Sequence, residues 1–536
     1  MLPPPPIRGL FRTDERARAA YAEGAGIFRI LPAAVCVPDS RDDLAALAHW
    51  ASAHRVPLVP RGAGSGMGGG NVGEGVIVDL TRLPRRLEFE SAAGRARASA
   101  SLTLAELNTA AAAMGLRLPP DPSSARWATL GGVLSTNAAG ARTVRYGSVR
   151  RWIEAVEFVT ADGEVTELRR GQPARPAIRA GSRFDAGAAP AIRAHQDEVR
   201  ARFPRTRKNA SGYALDAWLD SGDLLDLVVG AEGTLGFISA AEWRLDPIPP
   251  ARTGVRIALR SLDALSDAVG ALLALEPSAV ELLDRTFLEL VGERGSEAVL
   301  LVEFERGDAD EARRAAQGAA AAVTPWAARV DAGLTPADAE RLWALRHAAS
   351  PILAGLPDDR RSLQVIEDGC VPVERMGDYV QAVRDAAAAR GLQVVIFGHA
   401  GDGHVHVNLL PEVGRVGWEN AVAGLLESVT DAIVRLGGTP SGEHGDGRLR
   451  AGLLARVYGP EIMALFTEVK RAFDPLGILN PGIILPSGEP AITRLKVGTQ
   501  AIALPDDIAL GLRRIEQRGE YARSRLDLAD AAPPQP

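Results

Sequence analysis

The sequence predicts an α+β protein of two or three domains, and three features of the chain lead to this expectation. Its 536 residues exceed what one hydrophobic core of ordinary size accommodates. Residues 15–245 alternate short apolar strands with helical segments and glycine turns, whereas strands separated by long Ala/Leu helices follow Pro250. Hydrophobic residues at 46% and charged residues at 24% are the values of an ordinary folded protein.

The local pattern assigns individual elements in both halves of the chain. Leu102–Met114 has the apolar spacing of an amphipathic helix, and short apolar runs bounded by turns indicate strands. The expected strands are Leu58–Pro60, Gly75–Leu80, Ala155–Thr160, Arg256–Leu259 and Ala298–Phe304.

Three further segments organise the chain. Pro247, Pro249 and Pro250 mark the first domain boundary. Gly171–Pro190 is rich in Gly, Pro, Ala and Arg and is expected to be a surface insertion. The tail carries one charged helical run, Asp507–Asp530, which we expect to be a surface helix rather than a dedicated docking arm.

Composition excludes several classes of function. A formal net charge of -6 and 5% aromatic residues argue against a nucleic-acid-binding protein. Two cysteines, Cys36 and Cys370, can build neither a disulfide framework nor an iron–sulfur cluster, so a cytoplasmic location is expected. The N-terminus lacks a signal-peptide core, and no stretch approaches the roughly 18–20 apolar residues of a membrane span. Membrane association is therefore expected to be peripheral at most.

A glycine-rich loop, Val59–Asn71, follows the first predicted strand. Its alternating glycines allow successive backbone N–H groups to face one anion, and a pyrophosphate suits them; a flexible turn is the alternative. Gly64, Gly66 and Gly69 satisfy the dinucleotide pattern G-x-G-x-x-G. A Rossmann nicotinamide site is nevertheless disfavoured, because a predicted strand follows the loop instead of a helix.

Four of the eight histidines lie in two short motifs, Phe397–Asn408 and Ser441–Gly447. The first motif has period two after its Gly-Asp-Gly turn, so alternate residues of a strand share one face. Two imidazoles with one carboxylate form a typical open site for a divalent transition metal. The alternative is a pair of glycine turns with hydrogen-bonded histidines and no metal. The residues concerned are His399, His404, His406, Asn408, Glu443 and His444.

These motifs carry a resemblance to a known family. The chain resembles the vanillyl-alcohol-oxidase-type flavoproteins, and within them the FAD-linked D-lactate, glycolate and D-2-hydroxyglutarate dehydrogenases. The resemblance covers roughly residues 20–486, and its motifs occur in the family's order. Besides the glycine loop and the histidine motifs they are Pro119–Ser124, Thr129–Gly132, Asn137–Gly140, Arg145–Gly147, Gly230–Ile238 and Phe473–Gly482.

The resemblance implies a division into an FAD-binding domain (15–248), an α+β substrate or cap domain with a metal site (249–450), a C-terminal segment that returns to the flavin (451–486) and a tail (487–536). Non-covalent FAD is implied, because the loop lacks the histidine through which some relatives tether the flavin. The implied flavin contacts are Pro60, Arg61, Gly62, Ala63, Gly64, Ser65, Gly66, Pro122, Ser123, Thr129, Gly131, Gly132, Ser135, Asn137, Gly140, Glu232, Ile238 and Asn480.

The resemblance also implies roles for the histidine motifs. His399, His406 and Glu443 would bind a divalent metal, zinc foremost, with manganese or iron as alternatives, and His444 would be the catalytic base. The family often has Asn where this chain has His404, which leaves its role open between a fourth ligand and a partner that orients a ligand. Arg346 would bind the substrate carboxylate, with Asn408 as a second contact.

The implied reaction is the oxidation of a D-2-hydroxy acid to a 2-oxo acid, with electrons passed to a quinone, a cytochrome or an iron–sulfur protein. Ile366–Pro372 lacks a lysine that relatives acting on a five-carbon diacid tend to carry, which favours a short monoacid such as D-lactate or glycolate, with D-lactate foremost. D-2-hydroxyglutarate remains an alternative, since Arg360 or Arg361 could supply the cation, and homodimerisation stays open. Rival functions are a metal-independent FAD alcohol or sugar oxidase, a metal hydrolase and a non-catalytic subunit.

Overall fold

The computed structural model describes residues 3–332 and 335–531. Its β-strands, in chain order, are β1 (Leu10–Arg12), β2 (Ala34–Val37), β3 (Leu58–Arg61), β4 (Val76–Asp79), β5 (Leu87–Glu90), β6 (Arg95–Ser99), β7 (Leu116–Arg117), β8 (Ile153–Thr160), β9 (Val165–Arg169), β10 (Gly236–Arg244), β11 (Asp246–Pro247), β12 (Ala251–Leu259), β13 (Ala279–Asp284), β14 (Ala298–Arg306), β15 (Ala327–Ala332), β16 (Gly369–Cys370), β17 (Gln393–His399) and β18 (His404–Leu410).

The α-helices accompany these strands throughout the described residues. They are α1 (Glu15–Ala20), α2 (Arg41–His54), α3 (Leu104–Ala112), α4 (Leu130–Ser135), α5 (Thr143–Tyr146), α6 (Arg179–Ala186), α7 (Ala188–Ala194), α8 (Gln196–Arg202), α9 (Leu215–Ser221), α10 (Leu224–Val228), α11 (Leu265–Leu273), α12 (Arg285–Leu290), α13 (Ala309–Ala322), α14 (Pro336–Ala354), α15 (Met376–Ala388), α16 (Trp418–Arg435), α17 (Gly447–Ala451), α18 (Leu454–Phe473), α19 (Asp506–Arg518) and α20 (Leu526–Asp530).

Two larger sheets and the two-stranded antiparallel pair of β7 and β11 form the first half of the chain. Strands β1–β2–β4–β3 make a four-stranded sheet in which β2, β4 and β3 run parallel, and β5–β6–β10–β8–β9 make an antiparallel sheet. Helix α3 begins at a capping box, because the Thr103 hydroxyl accepts from the Glu106 N–H and the Glu106 carboxylate accepts from the Thr103 N–H.

The second half is built on one antiparallel sheet of seven strands, in the order β15–β12–β14–β13–β17–β18–β16. Residues of α11, α13, α15 and α16 pack with this sheet in one hydrophobic core. The chain passes from one half to the other at Pro247–Pro250, between β11 and β12. The arrangement confirms the predicted α+β class, and the named strands and the helix expected at Leu102–Met114 are found to within a few residues.

The chain then returns to the first half. Helix α18 packs against α6, α7 and α8, and its Phe466 and Phe473 belong to the same core as Phe158. Beyond the helix, Leu479 forms a parallel bridge with Leu58 of β3, and the Asn480 N–H donates to the Leu58 carbonyl at 2.8 Å. The segment after α18 therefore pairs alongside β3, the strand that leads into the glycine loop.

Two segments expected at the surface lie there, but their helices also bury apolar side chains. Residues 179–190 lie in α6 and α7, where Phe184 and Ala188 are buried in the main core. Within their Arg- and Ala-rich sequence, apolar residues recur at helical spacing and form one apolar face on each helix. Helix α18 packs against these faces. The tail run forms two helices, α19 and α20, whose Ile508 and Leu512 pack into a core with α1.

Within the described residues, no helix combines the length and the apolar character needed to cross a membrane.

Candidate active site

A cavity of about 530 Å³ lies between the two halves. One wall carries the glycine loop and the residues that the resemblance assigns to flavin binding. The facing wall carries Arg346, His406, Asn408, Glu443 and His444. Every substrate-binding or catalytic residue expected from the sequence therefore lines the same space as the expected flavin contacts.

The glycine loop approaches its neighbours too closely for side chains. A Cβ atom on Gly62 would lie 2.3 Å from the Thr129 hydroxyl, and one on Gly64 would lie 2.4 Å from the Arg61 guanidinium. Gly64 also has a φ of +76°, which favours glycine. Strand β4, parallel to β3, follows the loop, so the structure agrees with the rejection of a Rossmann site.

A buried cation lies beneath this loop. Arg61 is buried and donates to the Glu23 carbonyl at 2.8 Å. Burial, and then the nearby Arg525, lowers the pKa of Arg61 to about 10, so the group stays charged at neutral pH. Backbone N–H groups of the loop with a cation beneath them suit a pyrophosphate.

Most of the expected flavin contacts line the cavity. They are Pro60, Arg61, Gly62, Ala63, Gly64, Ser65, Gly66, Pro122, Ser123, Thr129, Gly131, Gly132, Ser135, Glu232 and Ile238.

Asn137, Gly140 and Asn480 lie behind the cavity wall instead. The Asn137 side chain accepts from the Arg150 N–H at 3.2 Å, and the Asn480 amide donates to two backbone carbonyls. A Cβ on Gly140 would meet the Asp121 backbone at 2.5 Å. Local packing and hydrogen bonds account for Asn137 and Gly140, which favours a role in shaping the wall, whereas Asn480 Oδ1 is buried without a hydrogen-bond partner in the described structure, so its flavin contact stays a prediction.

Glu232 joins the two motif-bearing regions. One of its carboxylate oxygens accepts from the Asp446 N–H at 2.7 Å and from the Gly447 N–H at 3.2 Å. Burial, together with the Asp446 carboxylate, raises the pKa of Glu232 to about 8. The second histidine motif is thereby fixed against the glycine-loop side of the cavity.

The structure brings the expected metal ligands together. His399 Nε2 lies 3.2 Å from His406 Nε2 and 3.3 Å from Glu443 Oε1, while His406 Nε2 lies 3.5 Å from that same oxygen. His399 ends β17 and His406 lies in β18, so the turn between these antiparallel strands brings the two rings together, with their centres 5.0 Å apart and their planes nearly perpendicular at 86°. Donor atoms around a tetrahedral zinc at about 2.0–2.1 Å would be separated by about 3.3–3.4 Å.

Hydrogen bonds fix the orientation of both imidazoles. His399 Nδ1 donates to Glu281 Oε1 at 2.6 Å, and His406 Nδ1 donates to the Glu367 carbonyl at 2.9 Å. Each neutral ring then directs an Nε2 lone pair at the other and at the Glu443 carboxylate. Three electron pairs that converge on one buried point fit a cation.

His404 joins the same group. Its Nε2 donates to Asp368 Oδ1 at 2.9 Å, which leaves Nδ1 buried without a hydrogen-bond partner in the described structure. One donor atom from each of His399, His404, His406 and Glu443 lies within 4.8 Å of the others. The orphaned Nδ1 fits a fourth ligand better than a purely orienting role, so the four residues suit a divalent transition metal.

His444 stands beside this group rather than in it. Its Nδ1 donates to Glu367 Oε2 at 2.5 Å, and its Nε2 lies 3.4 Å from Glu443 Oε1. Burial alone would lower the pKa of His444, but Glu367 and Asp368 raise it well above the usual value. A carboxylate that orients an imidazole from behind is the arrangement of a general base.

The two expected substrate contacts line the same cavity as His444. The Arg346 Nε donates to Glu281 Oε2 at 2.7 Å, and the guanidinium lies 4.5 Å from the centre of the Phe397 ring. Asn408 Oδ1 accepts from Ser362 at 3.3 Å and from Gln364 at 3.4 Å, which leaves the amide NH₂ as the group it offers to a ligand.

Four supporting residues were not predicted from the sequence: Lys208, Glu281, Glu367 and Asp368. Buried Lys208 donates to Glu443 Oε2 at 3.1 Å, and Glu281 holds both His399 and Arg346. The adjacent Glu367 and Asp368 orient His444 and His404. A pair of acidic residues near a histidine motif is a usable signal for such partners, whereas Lys208 and Glu281 lie alone in distant segments.

Burial and charge act in opposite directions on these carboxylates. Burial alone would raise the pKa of Glu281, but His399 and Arg346 lower it to about 2. Burial would likewise raise the pKa of Glu443, which Lys208 and His399 hold well below its usual value. Both side chains are therefore anionic at neutral pH and face the histidine group.

Comparison with known proteins identifies the chain as a member of an FAD-linked family. Residues 32–169 match an FAD binding domain, and residues 248–484 match the C-terminal domain of FAD linked oxidases. The chain is 32% identical over 493 residues to a D-lactate dehydrogenase of Archaeoglobus fulgidus, covering 90% of this chain and 96% of the relative. It is 30% identical to a D-2-hydroxyglutarate dehydrogenase of Xanthomonas citri pv. viticola (84% and 89% covered). It is 28% identical to the glycolate oxidase subunit GlcD of Bacillus subtilis (88% and 93% covered).

Solved structures share the fold at lower identity. A 4-ethylphenol oxidase from Gulosibacter chungangensis has a TM-score of 0.66 at 17% identity, covering 89% of this chain and 94% of its own. An alkyldihydroxyacetonephosphate synthase has a TM-score of 0.61 at 16% identity, covering 88% and 83%. These likenesses extend to the fold and confirm the expected vanillyl-alcohol-oxidase-type architecture.

Proposed function

Because this chain belongs to the family of FAD-linked oxidoreductases that act on 2-hydroxy acids, we propose that it oxidises a short D-2-hydroxy monoacid, D-lactate foremost, to the 2-oxo acid. The observation that carries the proposal is the position of His444. It lines the same cavity as the expected flavin contacts and Arg346, and its Nε2 lies 3.4 Å from Oε1 of Glu443, a member of the group of metal-ligand type.

Substrate binding is assigned to Arg346 and Asn408. A guanidinium held by Glu281 presents its remaining N–H donors in a fixed plane, which suits a carboxylate. The Asn408 amide, held by Ser362 and Gln364, adds a donor on the same cavity wall. Together they would place the hydroxyl-bearing carbon near His444.

Proton removal is assigned to His444 Nε2. Glu367 accepts a hydrogen bond from Nδ1, so the neutral form of the ring would carry its lone pair on Nε2, and the same carboxylate stabilises the imidazolium formed after proton transfer. Glu443 Oε1, 3.4 Å away, adds negative charge beside that nitrogen. The chain thus supplies an oriented base with two carboxylates around it.

The remaining chemistry belongs to the bound groups. A divalent cation held by His399, His406 and Glu443, with His404 beside them, would supply Lewis acidity at the substrate hydroxyl, and non-covalent FAD would supply the hydride acceptor. Zinc suits this nitrogen-rich donor set, with manganese and iron as alternatives. We assign re-oxidation to a quinone, a cytochrome or an iron–sulfur partner.

The test is anaerobic mixing of the purified flavoprotein with matched D- and L-2-hydroxy acids while the flavin absorbance is followed. We expect D-lactate to bleach the flavin and L-lactate to leave it oxidised. A simple alcohol or a sugar that bleached it equally well, with no effect of a chelator, would instead favour the metal-independent oxidase. Hydrolytic activity in protein without flavin would favour a metal hydrolase.

A further inference from the structure

The C-terminal extension, here residues 487–531, takes part in forming the cavity. It follows the region matched by the FAD linked oxidase domain, which ends at residue 484. Helix α19 places Glu516, Gln517 and Arg518 on the cavity wall, and Tyr521 follows them there. The extension therefore shares one space with the residues assigned to substrate binding.

The extension is held by contacts with α1 and with the end of α14. Asp507 pairs with Arg16 of α1 at 2.6 Å, and Ile515 is buried in the core shared with α1. Arg513 donates to the carbonyls of Ala354 and Leu356, at the end of α14. Since α14 also carries Arg346, the extension is fixed with respect to the substrate-binding side of the cavity.

Glu516 is the centre of a charged group at this wall. It pairs directly with Arg361, its Oε1 lies 3.1 Å from Lys496 Nζ, and its Oε2 lies 3.7 Å from Arg513. Lys496 is buried, and burial together with Arg361 and Arg513 lowers its pKa well below the usual value. One carboxylate thus faces three basic side chains in a poorly solvated place, where charges interact strongly.

Arg361 belongs to the same wall as the expected substrate contacts. The next residues along the chain, Ser362 and Gln364, hold the Asn408 side chain, and all of them line the cavity. Arg346 contacts a different part of the wall, namely Glu281 and the Phe397 ring. Among the arginines that line the cavity, Arg346 is assigned to the substrate carboxylate and Arg361 is paired with Glu516.

We propose that Glu516 is a specificity-determining residue that restricts the enzyme to monocarboxylic 2-hydroxy acids by occupying Arg361. This inference rests on the proposed function. A second substrate carboxylate would have to displace Glu516 from Arg361 and would meet its negative charge in the cavity, and like charges at close range oppose binding. An apolar or short substrate end meets no such opposition.

The decisive experiment compares wild type with Glu516→Gln, a substitution that keeps the shape and removes the charge. The measured quantity is kcat/KM for D-lactate, D-malate and D-2-hydroxyglutarate. We expect wild type to prefer D-lactate, and Glu516→Gln to raise kcat/KM for the two diacids at least about tenfold while D-lactate changes less than about threefold.

Two further variants isolate the cause. Asp507 lies on the same helix but pairs with Arg16 and does not line the cavity. Asp507→Asn should therefore leave the ratio of kcat/KM for diacids to kcat/KM for D-lactate unchanged. The double variant Arg361→Gln/Glu516→Gln should lose the gain in diacid oxidation, because it removes the guanidinium that the second carboxylate would bind. A gain that persists without Arg361 would overturn the inference.

A measurement on wild type alone covers the case in which Glu516→Gln does not fold. Butyrate and succinate differ mainly by one carboxylate, and each can be titrated as a competitive inhibitor of D-lactate oxidation. We expect succinate to inhibit at least about tenfold more weakly than butyrate. Equal or tighter inhibition by succinate contradicts the inference, as does a wild type that oxidises diacids faster than D-lactate.

The outcomes separate the two proposals. If no 2-hydroxy acid reduces the wild-type flavin, the proposed function fails and the role of Glu516 falls with it. If D-lactate reduces the flavin but Glu516→Gln, shown to be folded by its flavin content, leaves the diacid ratio unchanged, only the role of Glu516 is wrong.

Discussion

The Nε2 atoms of His399 and His406 lie 3.2 Å apart. Each ring donates a hydrogen bond from Nδ1 to an acceptor on its other side, so Nε2 carries no proton when the ring is neutral. In their neutral forms the two rings therefore direct lone pairs at each other. Glu443 Oε1 adds a third electron-rich atom within 3.5 Å of both nitrogens. This convergence of donors in a buried place is the basis of the metal assignment and of the first prediction.

Glu443→Gln should lose the metal while keeping the flavin. Loss of a residue that only orients a metal ligand commonly lowers metal affinity about 10- to 100-fold, so loss of an anionic ligand should cost at least as much. Elemental analysis of the purified variant should show little metal, with flavin absorbance retained and turnover strongly reduced. His195→Ala, a change at an exposed histidine, should keep full metal content. Equal metal content in Glu443→Gln and wild type would exclude this ligand set.

His444→Ala should bind flavin and metal normally but reduce the flavin slowly. Its Nε2 is the base and its Nδ1 is held by Glu367, so the substitution removes proton transfer without removing a proposed ligand. We expect reduction by D-lactate to slow on the order of a hundredfold or more, measured by anaerobic stopped-flow absorbance. Near-normal reduction in this variant would contradict the assigned role.

Arg346→Lys should weaken substrate binding more than it slows chemistry. Lysine keeps the charge but cannot present two parallel N–H donors or take the place of the guanidinium over Phe397. We expect KM for D-lactate to rise about tenfold or more, with a smaller change in kcat. Arg341→Lys, at a mostly exposed position of the same helix, is the matched control and should behave as wild type. An unchanged KM in Arg346→Lys would remove Arg346 from the substrate site.

Gly64→Ala should impair flavin binding. Its Cβ would lie 2.4 Å from the Arg61 guanidinium, so the cation beneath the loop has to move. Gly171→Ala is a matched control, because Gly171 also has a positive φ (+67°) but its Cβ would meet nothing within 4 Å. Both variants carry the backbone strain of about 1–2 kcal/mol, and only Gly64→Ala should be purified with reduced flavin content. Similar flavin loss in both would attribute the effect to strain alone.

Local patterns predicted much of this site, because its motifs are short and continuous. Period two in β18 places His404, His406 and Asn408 together, and the order of strand, glycine loop and strand identifies the cofactor side. Lys208 could not be predicted, since a single lysine 235 residues from Glu443 has no periodicity or spacing to signal its partner.

The tail shows the opposite limit of sequence reasoning. Its many charged residues indicate a helix exposed to solvent. The apolar residues that pack α19 against α1 are few, although they recur at the spacing of three or four residues that is typical of a buried helix face. The role of Glu516 at the cavity wall depends on Arg361, which lies 155 residues earlier. Only the folded arrangement reveals that pair.

Lys208→Met should destabilise the fold through uncompensated charge. Lys208 is buried between Glu443 at 3.1 Å and Asp402 at 3.4 Å, and it also donates to the Gly140 carbonyl. Removing one partner of a buried ion pair leaves the other charge without compensation, which costs about 3–5 kcal/mol. The free energy of unfolding should fall by that amount in denaturant titrations of chelator-treated protein. Arg200→Met breaks an exposed pair with Asp220 and should change stability by less than about 1 kcal/mol. If both variants lost the same small amount, the Lys208 network would contribute no more than a surface ion pair, and Glu443 would not depend on it for its charge or its orientation.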